Sequence, residues 1–260
     1  MKFIVAVDCE GVACTVGAPG SKLAESSQWD WVRQQATREA DAAVKGLFDA
    51  GATQVIVWDN HGRSLNLHYD QIDRRADFLL GVGVEHRWPG LDSSFAGVAM
   101  VGYHAMDNTR EAVLAHTFSS NEYQYMKFNG VEVGEIEIDA AAAGALNVPL
   151  IFVSSDDKGT AEALRFMPWV ETVATKRGLG WNAALSKHPA RACEEIRAGL
   201  AKAAGRLAQA KCFRFDEPLT VEYRFKRIES AQNTARAKAG WEWVDAYTCR
   251  RKFDKLSDVF

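Results

Sequence analysis

Asp8 and Glu10 stand two residues apart at the end of an apolar run, Phe3-Ile4-Val5-Ala6-Val7, and Gly11 follows them. In an extended chain both carboxylates point to one side and Cys9 points to the other. Side by side, two carboxylates repel unless one is protonated or a cation lies between them. Three further apolar runs also end in groups that can bind a metal. Val55-Ile56-Val57-Trp58 leads into Asp59-Asn60-His61, and Val98-Ala99-Met100-Val101-Gly102-Tyr103 leads into His104. Leu150-Ile151-Phe152-Val153 leads into Ser154-Ser155-Asp156-Asp157. Imidazoles and carboxylates together form a donor set for zinc, manganese or a related ion. A shared carboxylate can bridge two such ions roughly 3.5–4 Å apart. A centre of this kind lowers the pKa of its water towards about 7 and polarises a carbonyl or phosphoryl group.

The elements that must position these groups are short buried strands. Each apolar run is too short for a helix and lacks polar alternation, as in a parallel sheet covered on both faces. The carboxyl ends of parallel strands lie along one edge, where open α/β sheets bind ligands. A lone histidine at a strand end is more often a structural hydrogen-bonding residue; the joint occurrence of His61, His104 and Asp-x-Glu favours a metal. Asp59 reads as a support that orients the His61 loop by hydrogen bonds. His68 and His86 fall in polar loops and read as surface residues, and His188 stands where it can cap a helix.

Helical spacing of Val32, Ala36, Ala40, Ala43, Val44 and Leu47 predicts a helix from about Ser27 to Ala50, stopped by Gly51. A long polar loop, 13–26, precedes it and reads as functional. Short strands are predicted at Ala76–Leu80 and Val131–Ile136, then an alanine-rich helix from Asp139 to Leu146. Beyond the fourth buried run, helices are predicted at Gly159–Met167 and Pro189–Lys211, with strands at Val170–Thr175 and Thr220–Phe225. In the polar tail from Ser230, Trp241, Trp243 and Tyr247 are expected to pack back on the body. The fold class is therefore α/β: a mostly parallel sheet covered by helices on both faces, with a smaller C-terminal α+β portion. The expected division is a metal-binding catalytic domain over 1–158 and a C-terminal portion over 159–260.

The chain of 260 residues is 47% hydrophobic and 25% charged, enough to bury a full core. A net charge of −3 and only short basic runs, such as Cys249-Arg250-Arg251-Lys252, argue against nucleic acid or a membrane surface as partner. Five scattered cysteines without a CxxC fit a reducing compartment and argue against a thiolate zinc site. Asp8 and Glu10 interrupt the apolar start too early for a secretory signal, so a cytoplasmic protein is expected.

Val7-Asp8-Cys9-Glu10-Gly11 resembles the Asp-x-Glu-Gly opening of the bacterial zinc D-aminopeptidases. The resemblance runs on in order through Asp59-Asn60-His61, Gly102-Tyr103-His104-Ala105, Ala115-His116-Thr117, Val133-Gly134-Glu135 and Ser155-Asp156-Asp157. Each motif alone is weak; the ordered set over about residues 1–160 is specific. It implies two zinc ions per subunit, with Asp8 as the bridging ligand and Glu10, His61, His104 and Glu135 as the others. It implies His116 as the catalytic residue, short peptides with N-terminal D-amino acids of the D-alanyl type as substrates, and a homo-oligomer. The assignment of Glu135 over Glu137, and of His116 over His86, rests on this resemblance alone. The loop at 13–26 is longer than the family pattern, so substrate choice is expected to differ there. Two other functions suit the same ligand set: a two-metal phosphoesterase, and a metal-stabilised peptide-binding protein without turnover.

Overall fold

The computed structural model describes residues 1–83, 86–237 and 239–260. Its strands and helices are β1 (Lys2–Val7), α1 (Trp29–Asp49), β2 (Gln54–Asp59), β3 (Asp77–Leu79), β4 (Gly97–Val101), β5 (Tyr123–Phe128), β6 (Val131–Val133), α2 (Glu135–Ala145) and β7 (Leu150–Asp156). The second half adds α3 (Asp157–Phe166), β8 (Glu171–Gly180), β9 (Ala183–Ser186), α4 (Pro189–Ala204), β10 (Leu219–Phe225), α5 (Ile228–Ala237), β11 (Glu242–Trp243) and β12 (Thr248–Phe253).

The apolar runs pair as a seven-stranded sheet in the order β3-β2-β1-β4-β7-β8-β9. All neighbours are parallel except the β8/β9 pair. The chain winds from β1 outward to β3, then returns to the other side of β1 through β4. The β1/β4 gap is thus the point where winding reverses, and such gaps open a crevice at the strand carboxyl ends. The sheet buries both faces, which explains strands without polar alternation. Phe3, Val5 and Val7 pack with Val32, Ala36 and Val44 of α1 and with Ile196 and Leu200 of α4. Ile4 and Ala6 face the other way, onto Ile136 and Ala140 of α2 and Ala163 of α3.

A second sheet, β11-β12-β10-β5-β6, is antiparallel. It packs its inner face, including Met126, Phe128 and Val221, on Ile138 and Ala141 of α2. Helix α2 therefore lies between the two sheets. That accounts for its apolar residues on every side, since a helix buried all round needs no polar face. Strands from before and after residue 158 mix in both sheets: β8 and β9 complete the large one, while β5 and β6 begin the small one.

Several local expectations change. The segment 131–136 is not one strand; β6 stops at Val133 and α2 begins at Glu135, four residues earlier than the alanine run suggests. Gly134 and Glu137 form the entry, with Glu137 accepting the Gly134 N–H at 2.8 Å. Helix α4 ends at Ala204, short of Lys211. Trp241 packs on Tyr223 with ring centroids 4.9 Å apart, whereas Trp243 is exposed. Among the described residues no helix is long and apolar enough to cross a membrane, and the five cysteines are free thiols.

Candidate metal centre

Strands β1, β2 and β4 end level with one another, Val7 lying opposite both Asp59 and Val101. The residues that follow must therefore emerge together at the winding reversal. Asp8 N donates to Val101 O at 2.8 Å, and Asn60 N donates to Val7 O at 3.0 Å. The turns after β1 and β4 then cross almost in contact. A Cβ on Gly11 would lie 1.9 Å from Tyr103 O, and one on Gly102 would lie 2.3 Å from Asp8 O. Gly11 is required for this close approach rather than for a turn dihedral. Gly102 is doubly constrained, since its φ is +72°.

At this crossing Asp8, Glu10, His61 and His104 converge. Asp8 Oδ1 lies 2.8 Å from His61 Nδ1, and Asp8 Oδ2 lies 3.4 Å from His104 Nε2. Glu10 Oε2 is 3.1 Å from the same His61 nitrogen. The predicted alternation holds, with Cys9 turned away into the core beside Val7 and Val12. Glu135 joins from the first turn of α2, its Oε1 3.3 Å from His104 Nε2. His116 comes from the irregular segment between β4 and β5 and stacks on His104, ring centroids 3.9 Å apart and 15° from parallel. Among the described residues, two triads bring ligand atoms within 4.8 Å of one another: Asp8, Glu10 and His104, and His104, His116 and Glu135.

The donor atoms crowd one another. His104 Nδ1 lies 3.0 Å from Ala105 O, which accepts its N–H. In the neutral ring, Nε2 then carries a lone pair aimed at the oxygens of Asp8 and Glu135. Glu10 Oε2 is buried without a hydrogen bond, His61 Nδ1 being aligned on Asp8 instead. Lone pairs facing lone pairs in a buried site repel, and a proton or a metal ion between them removes the conflict. The titration behaviour reflects this. Burial and the Glu10 charge push Asp8 up to about 7. Burial also opposes charge on Glu10 and Glu135, but His61 above all holds Glu10 well below the usual range, and His104 holds Glu135 at about 2. Burial disfavours the imidazolium of His61 and His104, yet the carboxylates around them raise both well above the ordinary histidine value. His116 goes the other way, lowered by burial and by neighbouring His104.

Supporting hydrogen bonds fix each turn. Asp59 accepts from Asn66 N, Leu67 N and the Tyr69 hydroxyl at 2.6, 3.0 and 2.9 Å. Asn66 Nδ2 donates in turn to His61 O at 2.7 Å, so Asp59 shapes the His61 loop as expected. A chain of hydrogen bonds not anticipated from the sequence ties two turns to α2. Asn60 Nδ2 donates to the Tyr103 hydroxyl at 2.7 Å, and that hydroxyl donates to Asp139 Oδ2 at 2.8 Å. Arg87 clamps both oxygens of Asp139 at 2.6 Å. The signal available was a charged Asp139 inside an alanine-rich helix, which must find a buried partner.

Asp156 and Asp157 lie at a strand end on the same edge but do not join the centre. Asp156 is the N-cap of α3, accepting from Lys158 N and Gly159 N, and it also accepts from Val113 N. Asp157 accepts from Gly178 N at 2.8 Å and pairs with Lys158. His68 is half-buried, His86 is exposed, and His188 caps α4 by accepting from Ala190 N.

The chain is similar to proteins of one kind. A family model for D-aminopeptidases, peptidase M55, matches residues 1–260. A D-aminopeptidase from Bacillus subtilis (strain 168) is 31% identical over 195 residues, covering 74% of this chain and 69% of that protein. The solved Zn-dependent D-aminopeptidase DppA from Bacillus subtilis, described as a self-compartmentalizing protease, aligns with a TM-score of 0.90 at 25% identity. That alignment covers 99% of this chain and 93% of the other. With the family model spanning every residue, this chain belongs to the D-aminopeptidase family, peptidase M55.

Proposed function

We propose that the chain is a binuclear zinc aminopeptidase that removes N-terminal D-amino acids, of the D-alanyl type, from short peptides. The observation that carries the reading is that each Asp8 oxygen faces a different imidazole, His61 at 2.8 Å and His104 at 3.4 Å. That is the arrangement a bridging carboxylate needs. Asp8 would hold both ions, Glu10 and His61 would complete one side, and His104 and Glu135 the other. When bound, the zinc pair supplies Lewis acidity to the scissile carbonyl and to the attacking water.

The chain's own task is proton handling. His116 Nδ1 is 2.8 Å from Leu114 O, to which it donates, so Nε2 is the open acceptor. Burial and His104 keep the ring neutral, the form a general base needs. His116 takes a proton from the attacking water and returns it to the leaving amine. The Bacillus subtilis neighbour is described as self-compartmentalizing. By extension this chain acts on short peptides as a homo-oligomer, and its five free thiols and net charge of −3 suit the cytoplasm better than a nucleic-acid or membrane surface.

The test is metal analysis and turnover on one purified sample. Two zinc ions per chain and release of D-alanine from a D-alanyl peptide, with the L-peptide slower, are expected. Turnover of an aryl phosphate in place of the peptides would establish a phosphoesterase instead. Tight peptide binding without product would establish a binding protein.

A further inference from the structure

Lys176, in β8, is 2% exposed although it carries a charge. Its ammonium donates to three backbone carbonyls of one segment: Glu10 O at 2.5 Å, Val12 O at 2.8 Å and Thr15 O at 2.7 Å. A lysine has three donors, so all are spent there. The preceding Thr175 hydroxyl lies 2.5 Å from Gly11 O and donates to it. Two further groups hold the same segment: Glu39, on α1, accepts the Ala13 N–H at 2.8 Å, and Ser186 Oγ, on the neighbouring β9, accepts the Cys14 N–H at 2.7 Å. Cys14 is held at φ +61°, a region few residues other than glycine adopt freely. A free chain would not keep this conformation, in which three carbonyls converge on one point. The segment begins at Glu10, so whatever sets the segment sets that carboxylate.

We propose that Lys176 is a positioning residue for the metal centre, a tethered cation that gathers the backbone of residues 10–15 and so aims Glu10. The inference rests on the binuclear zinc reading and assigns a role to β8, which supplies none of the candidate ligands. Outer partners of metal ligands typically change metal affinity or activity by roughly 10–100-fold. Methionine keeps most of the lysine's volume and removes the charge, which leaves Glu10 O and Thr15 O unpaired and Val12 O with only the Thr15 N–H at 3.3 Å.

Two readouts on wild type and Lys176→Met test it. In metal-free protein, amides of residues 10–15 should exchange at least about tenfold faster in the variant, with β1 unchanged. In chelator competition the variant's zinc affinity should fall by roughly 10–100-fold. Unchanged exchange, or faster exchange with unchanged zinc affinity, overturns the proposal and leaves Lys176 a core residue only. If Lys176→Met does not fold, Thr175→Val removes one bond to the same segment, and an effect of about threefold in both readouts is expected. No effect there overturns the proposal. A wild type that binds no zinc defeats the metal-centre reading itself, and the zinc half of the inference falls with it. The exchange comparison then still decides whether Lys176 holds the segment.

Discussion

His116 stacks on His104 yet differs from it in chemistry. His104 points its nitrogen at two carboxylates, whereas the Nδ1 of His116 is committed to a backbone carbonyl. His116→Ala should lower kcat by roughly 10²–10⁴, the usual scale for a general acid or base, with zinc content near wild type. Loss of zinc in that variant would make His116 a ligand, a role its distance from His104 and Glu135 also permits. A base must be neutral, and the pKa of His116 is lowered. The acidic limb of its kcat/KM profile should therefore lie below about 6.5, activity falling as pH drops through it. Asp8→Ala should release both ions, measured as zinc per chain; two retained ions would remove Asp8 from the bridge. At this scale the strand-end pattern pointed to Asp8, Glu10, His61 and His104 because strand ends locate side chains. It could not separate them from Asp156, whose oxygens are already taken by backbone N–H groups. Glu135 and His116 sit at a helix start and in an irregular segment, where no periodicity applies, and only the ordered motifs singled them out.

Helices α2 and α3 meet through a second pair of carboxyls, Glu137 and Glu162. Glu137 Oε1 and Glu162 Oε1 are buried and have no donor. Burial raises Glu137 to about 7, and burial together with the Glu137 charge holds Glu162 well above the carboxylate range. A folded pKa above the unfolded one means that the stabilising proton is fully held below about 4.5 and lost as pH rises through the folded value. Glu162→Gln should thus raise Tm by a few degrees at pH 8.5 and change it little at pH 4.5. An equal shift at both pH values would show that no proton is shared. The amide still accepts the Met106 N–H that Glu162 Oε2 now accepts at 2.8 Å. Elements buried on both faces were legible as apolar runs. In the second sheet β10 was legible by its alternation and β6 in part, whereas β5, Tyr-Gln-Tyr-Met-Lys-Phe, and β12, Thr-Cys-Arg-Arg-Lys-Phe, were not. Each is half covered, and in the basic run of β12 Arg250 pairs across the strands with Glu222 of β10.

Across the whole molecule, four distant segments bring three carboxylates and two imidazoles to one edge, a donor set for a cation. Metal binding should therefore stabilise the fold as well as enable chemistry. Free zinc at 100 times its Kd contributes about 2.7 kcal/mol, roughly 5–10 °C in Tm for a chain of this size. Thermal unfolding with chelator and then with zinc restored should show that difference; identical curves would mean no ion is bound. The alternation of strands and helices announced the parallel sheet, because each crossover is local. The antiparallel sheet is assembled from residues 123–133, 219–225 and 242–253, and no local pattern specifies such a non-local pairing.

Helix α2 carries Glu135 at its tip and is gripped by a sheet on either side. A rigid rod held that way transmits small shifts of either grip to its end. Substitutions under β10 or β12, far from any reacting atom, would tilt the rod and move the Glu135 carboxylate relative to the His104 ring. The second sheet thereby holds an adjusting screw on the metal centre, through which catalysis can be retuned without altering one coordinating side chain.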